Sequence, residues 1–474
     1  MTARRRPVLV ALAVLLVAGG VADRRAVPRP RLSPAAAARA VMPTAAPPGA
    51  LSSTWFCVGA TAAPGGSADG VVFIANPTGG PVAGAVTVVP VQGEARSVPV
   101  TVEARSVTSV ALRDVVEAPF AAALVDVDGG QVAAELVVRG PLGSDAAPCS
   151  SRASSRWYFA DGVTARDASL LLSLFNPFPE DAIVDLSFST DQGRAAPAAF
   201  RPIVVPGRTL VVRAIGDHVR RRNAISTAVA VRTGRVIAAQ TQTRTAPCAA
   251  GLSVALGAPS LGTEWHFPNG VVADGVAEHF AVSNPGPAEA SVLFQVIADE
   301  AVVEDFERTV PARGRLDVVL NEEVGMPRGV GHATTIRSLD GVPVVASRTL
   351  AYSPPSPRAG RADTLGARRA ATRWLFPAGG SAPGTAVHLA VANVGEEPAR
   401  FSAAGLVRGE AVPLAGIDDV EVGPGRRVVV AVQEHLGADP MPVLVTATAP
   451  VVVERDVQAG GGPGAWAGMG IPLG

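Results

Sequence analysis

Apolar and polar residues alternate along short stretches of this chain, and turn-forming residues separate the stretches. In residues 184–188 the apolar side chains occupy every second position, which predicts a strand with one face on a core and one in water. Between residues 152 and 260 the pattern predicts seven such strands, at 156–160, 168–175, 183–189, 198–204, 208–213, 225–232 and 235–244. Seven short strands in roughly one hundred residues are typical of an immunoglobulin-like β-sandwich.

The same pattern occurs four times. In each copy a Trp opens the first strand, and an apolar strand ending in Asn follows it about twenty residues later. This register predicts an all-β protein of four tandem immunoglobulin-like β-sandwich repeats, each with its own core, arranged as beads on a string. The marker residues are Trp55, Trp157, Trp265 and Trp374, and Asn76, Asn176, Asn284 and Asn393.

The N-terminus predicts export. Three arginines, Arg4 to Arg6, precede an uncharged apolar run from Pro7 to Ala22, which indicates either a cleaved signal peptide or a retained membrane anchor. An Ala- and Pro-rich stretch follows, which cannot bury enough apolar surface to order itself. We therefore predict an apolar helix (signal peptide or transmembrane anchor) at 1–25, a disordered linker at 26–50, and β-sandwich repeats at 51–151, 152–260, 261–370 and 371–474.

The repeated motifs support a family resemblance. The succession Trp-[Tyr/Phe/His/Leu]-Phe, Leu-x-Asn-Pro and Gly-x-Val-Val-Ala-x-Arg resembles a repeat in an uncharacterised actinobacterial family of secreted or membrane-anchored proteins. The resemblance covers about residues 51–474 and implies β-sandwich modules outside the cytoplasm. It brings no known activity or functional residue. Two positions depart from the motif, since Cys57 replaces Phe and Asn393 is not followed by Pro.

Charge and motif content narrow the class of function. Forty-one basic residues, all Arg, balance 41 acidic ones, so the chain lacks the basic field of a nucleic-acid binder. The six His residues are scattered, and the motifs of a serine-nucleophile elbow, a phosphate loop and a zinc-protease helix are absent from the sequence. We therefore predict no enzyme activity, no cofactor and no metal site.

Three further residue types have open interpretations. A disulfide between Cys57 and Cys149 is preferred, with Cys57–Cys248 or no bond as alternatives. The repeated Trp residues are interpreted as core anchors, with stacking on sugar rings as the alternative. The arginine runs at 220–222 and 368–369 are interpreted as solvated, with contact to anionic wall polymers or lipid headgroups as the alternative.

The sequence thus predicts a non-catalytic exported cell-envelope protein that acts as a spacer or an interaction and adhesion scaffold. A cell-wall glycan-binding module is the alternative, and an enzyme ranks third. The predicted partners are the membrane, through the N-terminal helix, and a cell-wall polymer or another envelope protein, but no nucleic acid. The predicted location is extracytoplasmic, either membrane-anchored or secreted.

Overall fold

Strands provide nearly all the regular structure of the computed structural model, which describes residues 43–246, 250–379, 385–433, 441–458 and 463–474. The predicted signal or anchor at 1–25 and most of the predicted linker lie outside these residues. Within them, no helix is long and apolar enough to cross a membrane. Short 3-10 turns lie at Leu112–Asp114, Ala198–Phe200, Ile215–Asp217 and Leu320–Glu322.

The strands fall into four successive segments that correspond to the four sequence copies. Segment 1 contains β1 (Ser52–Ala62), β2 (Asp69–Asn76), β3 (Val82–Pro90), β4 (Arg96–Val102), β5 (Ser106–Ala111), β6 (Ala118–Asp128), β7 (Ala133–Gly140) and β8 (Gly143–Pro148). Segment 2 contains β9 (Arg156–Phe159), β10 (Ala168–Asn176), β11 (Ala182–Thr190), β12 (Gly193–Ala195), β13 (Ile203–Val205), β14 (Thr209–Ala214), β15 (Ile225–Thr233), β16 (Ile237–Arg244) and β17 (Gly251–Leu256).

The second half of the chain follows the same plan. Segment 3 contains β18 (Glu264–Phe267), β19 (Val276–Asn284), β20 (Ala290–Ala298), β21 (Phe306–Val310), β22 (Gly314–Val319), β23 (His332–Ser338), β24 (Val345–Tyr352) and β25 (Gly360–Leu365). Segment 4 contains β26 (Ala371–Phe376), β27 (Ala386–Ala392), β28 (Ala399–Val407), β29 (Glu410–Pro413), β30 (Val420–Val422), β31 (Arg427–Ala431), β32 (Val443–Gln458), β33 (Ala465–Met469) and β34 (Ile471–Pro472).

Each segment forms two sheets with a common strand order. In segment 1 the outer sheet runs β4-β3-β6-β1, and the second sheet, here called the axial sheet, runs β5-β2-β7-β8. The axial sheets of segments 2 and 3 run β14-β10-β16-β17 and β22-β19-β24-β25. In segment 4 the long strand β32 serves both sheets, pairing with β26 and β28 near its start and with β27 and β33 near its end.

Burial follows the strand period where one face meets solvent. Strands β11 and β20 alternate buried and half-buried positions along their whole length, so their apolar side chains point into the core. In β7, by contrast, six consecutive residues from Ala133 to Val138 are buried. Because β7 is buried on both faces, the axial sheet of segment 1 must have protein packed against each of its sides.

The last strands of the axial sheets, β8, β17, β25 and β33, are here called the axial strands. Each contacts the next along the chain, and β33 contacts β8, so the four segments form a closed cycle. Their hydrophobic cores also continue across the joints, since Leu252 of segment 2 and Ile471 of segment 4 pack into the core of segment 1. The expected arrangement of separate beads is therefore wrong. The reason is that the axial sheets are buried on both faces, with polar and charged as well as apolar side chains, and so need partners from neighbouring segments.

The two ends of the described chain meet in this cycle. The Ala45 N–H donates to the carbonyl of Pro472 (3.1 Å), and Ala45 is fully buried. The Gln131 N–H donates to the carbonyl of Ala46 (2.8 Å). Residues 43–50 of the predicted disordered linker thus belong to the fold, because their backbone groups pair with segments 1 and 4.

Six of the seven strands predicted between residues 152 and 260 occur close to their expected bounds. The predicted strand at 198–204 is instead a 3-10 turn followed by the short strand β13, because Phe200 turns inward to pack on Phe188 (ring centroids 5.7 Å apart). Segment 2 has two further strands outside the seven predicted ranges, the short β12 and the axial strand β17.

Candidate functional site

The four repeated Trp residues are sealed inside their segments. Each side chain is at most 1% exposed. Each indole N–H donates to the carbonyl of a Val of its own segment, which immediately precedes an axial-sheet strand in segments 1 to 3 and lies within β32 in segment 4, so the bond ties the two sheets together. The acceptors of Trp55, Trp157, Trp265 and Trp374 are Val132, Val236, Val344 and Val451, at 3.1, 2.8, 3.0 and 2.9 Å. Buried rings do not offer a face to a sugar, so sugar stacking on these four residues lacks structural support.

The four repeated Asn residues close the turn after the second strand. The Oδ1 of Asn284 accepts the N–H of Gly286 (3.0 Å), which is an Asx turn, while Nδ2 donates to the carbonyls of Ala288 (2.7 Å) and Val310 (3.3 Å). Asn76, Asn176 and Asn393 make the equivalent contacts. These amides bridge the two sheets at the turn, which is a structural role.

A disulfide joins Cys57 on β1 to Cys149 just after β8, with the Cα atoms 4.5 Å apart. It links the outer and axial sheets of segment 1 and closes a loop of 92 residues. Cys248 lies outside the described residues.

The most concentrated chemistry lies at the joints between segments. Arg348 of segment 3 forms a salt bridge with Glu454 of segment 4, and both side chains are fully buried. Arg455 of segment 4 forms a salt bridge with Glu135 of segment 1, with 1% and 4% of the side chains exposed. A buried carboxylate needs such a partner because water cannot solvate it.

The two pairs use equivalent positions, so they are copies of one device. Each Arg passes over a Phe of its own segment: the Arg348 guanidinium lies 5.9 Å from the Phe267 ring, and that of Arg455 lies 5.2 Å from the Phe376 ring. Each Glu also accepts a backbone N–H from the preceding segment. The donors are Asn269 for Glu454 (3.1 Å) and Ala378 for Glu135 (2.9 Å).

At the joint between segments 3 and 4, burial and ion pairing act on the pKa values in opposite directions. Burial raises the pKa of Glu454 above its usual range, although Arg348 opposes the rise. Burial also acts to lower the pKa of Arg348, but Glu454 and then Glu278 outweigh it and raise that pKa. Nearby, Arg358 of segment 3 forms two 2.6 Å hydrogen bonds with the carboxylate of Asp456 in segment 4.

The other two joints use different residues. Between segments 1 and 2, the Asp145 carboxylate accepts the N–H of Val254 (2.7 Å), and burial raises the pKa of Asp145 well above its usual range. Between segments 2 and 3, Asp161 pairs with Arg361 (3.0 Å) and Arg315 (3.3 Å). All four joints of the cycle therefore contain a buried or nearly buried carboxylate.

One cluster has the composition of a metal site. Ligand atoms of Asp161, His279 and Asp317 lie within 4.8 Å of one another. Arg315 Nη2, however, contacts both carboxylates, and His279 Nε2 lies 3.0 Å from Asp317 Oδ1. A cation at this position would have to displace a guanidinium that already neutralises the two acids, so the arrangement favours an ion-pair network.

A second buried pair lies inside segment 3. His332 Nε2 is 2.8 Å from Glu278 Oε2, and both side chains are fully buried, although neither makes a well-aligned hydrogen bond. Segment 2 has the apolar Leu170 and Ile225 at the equivalent positions. The pair was not predicted from the sequence, and it lies close enough to Arg348 for Glu278 to raise the pKa of that Arg.

Sequence reasoning placed the marker Trp and Asn residues but missed the joints. A usable signal was present in residues 451–457, where Glu454, Arg455 and Asp456 interrupt a run of valines. Three charges inside a twice-buried strand require partners from outside that strand.

A family model described as "Family of unknown function (DUF5719)" matches residues 44–212 and 137–347, which together cover more than half of the chain. No curated protein is significantly similar to it. Similar solved structures share little with it.

The crystal structure of Thermotoga maritima 1070 is 12% identical, covering 22% of this chain and 94% of its own, with a TM-score of 0.20. Streptomyces avermitilis α-L-rhamnosidase complexed with L-rhamnose is 11% identical over 81% and 54% of the two chains (TM-score 0.12). A tetra-tandem repeat from the extending region of a large adhesion protein is 12% identical over 89% and 99% (TM-score 0.11). At these TM-scores the likenesses carry no argument about this chain.

Proposed function

The chain belongs to the family of unknown function DUF5719, and we propose that it is a non-catalytic scaffold of the cell envelope, built from four immunoglobulin-like modules. The observation that carries this proposal is that its buried charged side chains pair with one another across the joints between segments. The buried acids Glu135 and Glu454 are engaged by arginines of a neighbouring segment. Groups committed to holding a closed cycle together are poor general acids or bases, because moving their protons would break the joints.

An extracytoplasmic location forms part of the proposal. The disulfide between Cys57 and Cys149 supports it, because such bonds persist in oxidising compartments and are rare in the cytosol. The basic and apolar start of the sequence supports it independently. The N-terminal segment would hold the scaffold at the membrane or release it after cleavage.

A reporter fusion tests the location. Alkaline phosphatase, which folds only where disulfides form, is fused after Gly474 of the full chain, and cells are fractionated. We expect activity in the membrane or secreted fraction, and loss of activity when Leu12 and Leu15, two residues of the apolar run at 7–22, are both replaced by Asp. Phosphatase that stays inactive in the intact fusion would refute the location.

The scaffold role has a separate test. The purified chain is incubated with wall glycans, esters and phosphodiesters, and products are followed by mass spectrometry. We expect no turnover. Turnover that disappears in Glu135→Gln or Glu454→Gln, with folding retained by tryptophan fluorescence, would overturn the non-catalytic assignment.

A further inference from the structure

A cavity of about 170 Å³ lies where the connection between segments 1 and 2 passes the end of segment 2. Four serines, Ser150, Ser151, Ser154 and Ser260, share its lining with Arg152. Trp157, Leu256 and Pro259 supply apolar wall. None of the described residues that line it carries a carboxylate.

Two of the serine hydroxyls are set up to donate. Ser151 Oγ accepts the N–H of Thr44 (3.3 Å), and Ser154 Oγ accepts the N–H of Arg156 (3.2 Å). A hydroxyl combines one donor hydrogen with its acceptor lone pairs. Since backbone groups already occupy an acceptor site on each oxygen, the hydroxyl hydrogens are the groups best placed to meet a ligand. Ser150 differs, because its hydroxyl donates to the carbonyl of Arg152 (2.7 Å).

Two arginine side chains lie at the same cavity. Arg152 lines the cavity and is exposed. Arg368 reaches its edge by donating to Ser260 Oγ (2.8 Å), and its guanidinium lies 5.5 Å from the Trp265 ring. Burial lowers the pKa of Arg368, and the neighbouring Arg369 lowers it further. Among the described residues, no carboxylate lies within salt-bridge distance of Arg152 or Arg368.

From these contacts we infer that the cavity binds a phosphate group, carried either by an anionic envelope polymer or by a lipid headgroup. Arginine guanidinium groups and hydroxyl donors are the partners that phosphate oxygens accept best. The cavity volume of about 170 Å³ is several times the roughly 30 Å³ that one water molecule occupies in the liquid. It can therefore hold a group as large as one phosphate with its first ester group. This site rests on the proposed envelope function, for which it supplies a class of partner.

Binding to the full-length chain tests the inference, with the protein in detergent for the soluble probes and with detergent removed before the vesicle measurements. The soluble probe is glycerol 3-phosphate, measured by titration calorimetry. Poly(glycerol phosphate) represents a polymer source, and phosphatidylglycerol–phosphatidylcholine vesicles against pure phosphatidylcholine vesicles represent a lipid source. The test variants are Arg152→Gln with Arg368→Gln, and Ser151→Ala with Ser154→Ala. The matched control is Arg220→Gln, an exposed arginine of the run at 220–222.

We expect the arginine double variant to weaken binding at least about tenfold and the serine double variant to weaken it severalfold, with Arg220→Gln unchanged. Unfolding midpoints by tryptophan fluorescence must match the parent for each variant counted. Stronger binding to the polymer or to the anionic vesicles identifies the source. Absence of binding to every probe, or equal weakening by Arg220→Gln, overturns the site. The export reporter is a separate measurement, so failure of the location and failure of the site are distinguishable.

Discussion

The salt bridge between Arg455 and Glu135 closes the cycle of segments, and its removal gives the sharpest stability test. In Arg455→Met the Glu135 carboxylate, which is 4% exposed, keeps one hydrogen bond, from the Ala378 N–H at 2.9 Å. Leaving a buried charge without its partner costs about 3–5 kcal/mol of unfolding free energy. Loss of the guanidinium 4.5 Å from the Trp466 ring adds about 1 kcal/mol.

The double variant Glu135→Gln with Arg455→Met distinguishes a paired interaction from two independent losses. It removes both charges and keeps an acceptor for the Ala378 N–H, so we expect it to cost less than the sum of the single variants. The control is Arg400→Met, in which the 45% exposed Arg400 loses its pairs with Asp419 and Glu421, whose side chains are 66% and 60% exposed. Exposed pairs contribute little to stability, because water and salt screen them, so we expect this control to change the unfolding free energy far less than Arg455→Met.

Urea unfolding followed by tryptophan fluorescence measures these free energies, and amide hydrogen exchange locates the effect. We expect exchange to increase in β8 and β33, the axial strands that meet at the closing joint, before it increases in β9 to β16. The reasoning is refuted if Arg455→Met costs no more than Arg400→Met, or if the single effects simply add.

Four further outcomes are expected. Cys57→Ala with Cys149→Ala should lower the unfolding free energy by up to about 4–5 kcal/mol, because the bond closes a loop of 92 residues, and reduction of the parent protein should reproduce that loss. Trp157→Phe should cost about 1–3 kcal/mol in urea unfolding, since it removes a buried indole hydrogen bond, leaving the Val236 carbonyl with the Ser154 N–H (2.9 Å) as donor, and also removes part of a fully buried ring; a neutral result would contradict the tie between sheets. Asn284→Asp should destabilise more than Asn284→Ala, because it sets carboxylate oxygen against the carbonyls of Ala288 and Val310; the reverse order in thermal unfolding would exclude this contact. Burial acts to raise the pKa of Asp317, but His279 and Arg315 hold it at about 2, below its usual 3.8, so its stabilisation is present above pH 4 and lost as the pH falls toward 2. Acid titration of Asp317→Asn should lack that part of the loss, about 1 kcal/mol after allowing for solvent at this side chain.

Sequence reasoning succeeded where the signal was local and repeated. Trp265 and Asn284 could be identified because each stands at a fixed offset within a pattern that recurs in every copy. It failed for the axial strands. Residues 143–148 (GSDAAP) and 465–469 (AWAGM) are short and rich in Gly and Ala, so they lack the alternation that marks a half-buried strand.

The same distinction applies to the candidate sites. Glu135 looks like an isolated acid in the apolar stretch from Val132 to Val138, and nothing nearby in the sequence indicates its partner, which lies 320 residues away. The serine cavity likewise combines the ends of two segments, with Arg368 reaching it from a third connection. Residues this far apart are brought together only by the packing of whole segments.

By itself, the sequence determined that this is an all-β chain, and it indicated that the four marker Trp residues lie in the core. It could do so because a strand's alternation and a module's period record burial over neighbouring residues. The tertiary structure decided that the copies close into one cycle, with charged joints and shared cores. That outcome depends on which surfaces of the folded segments are complementary to one another. Contacts between segments that are far apart in the chain produce no periodic pattern in the sequence.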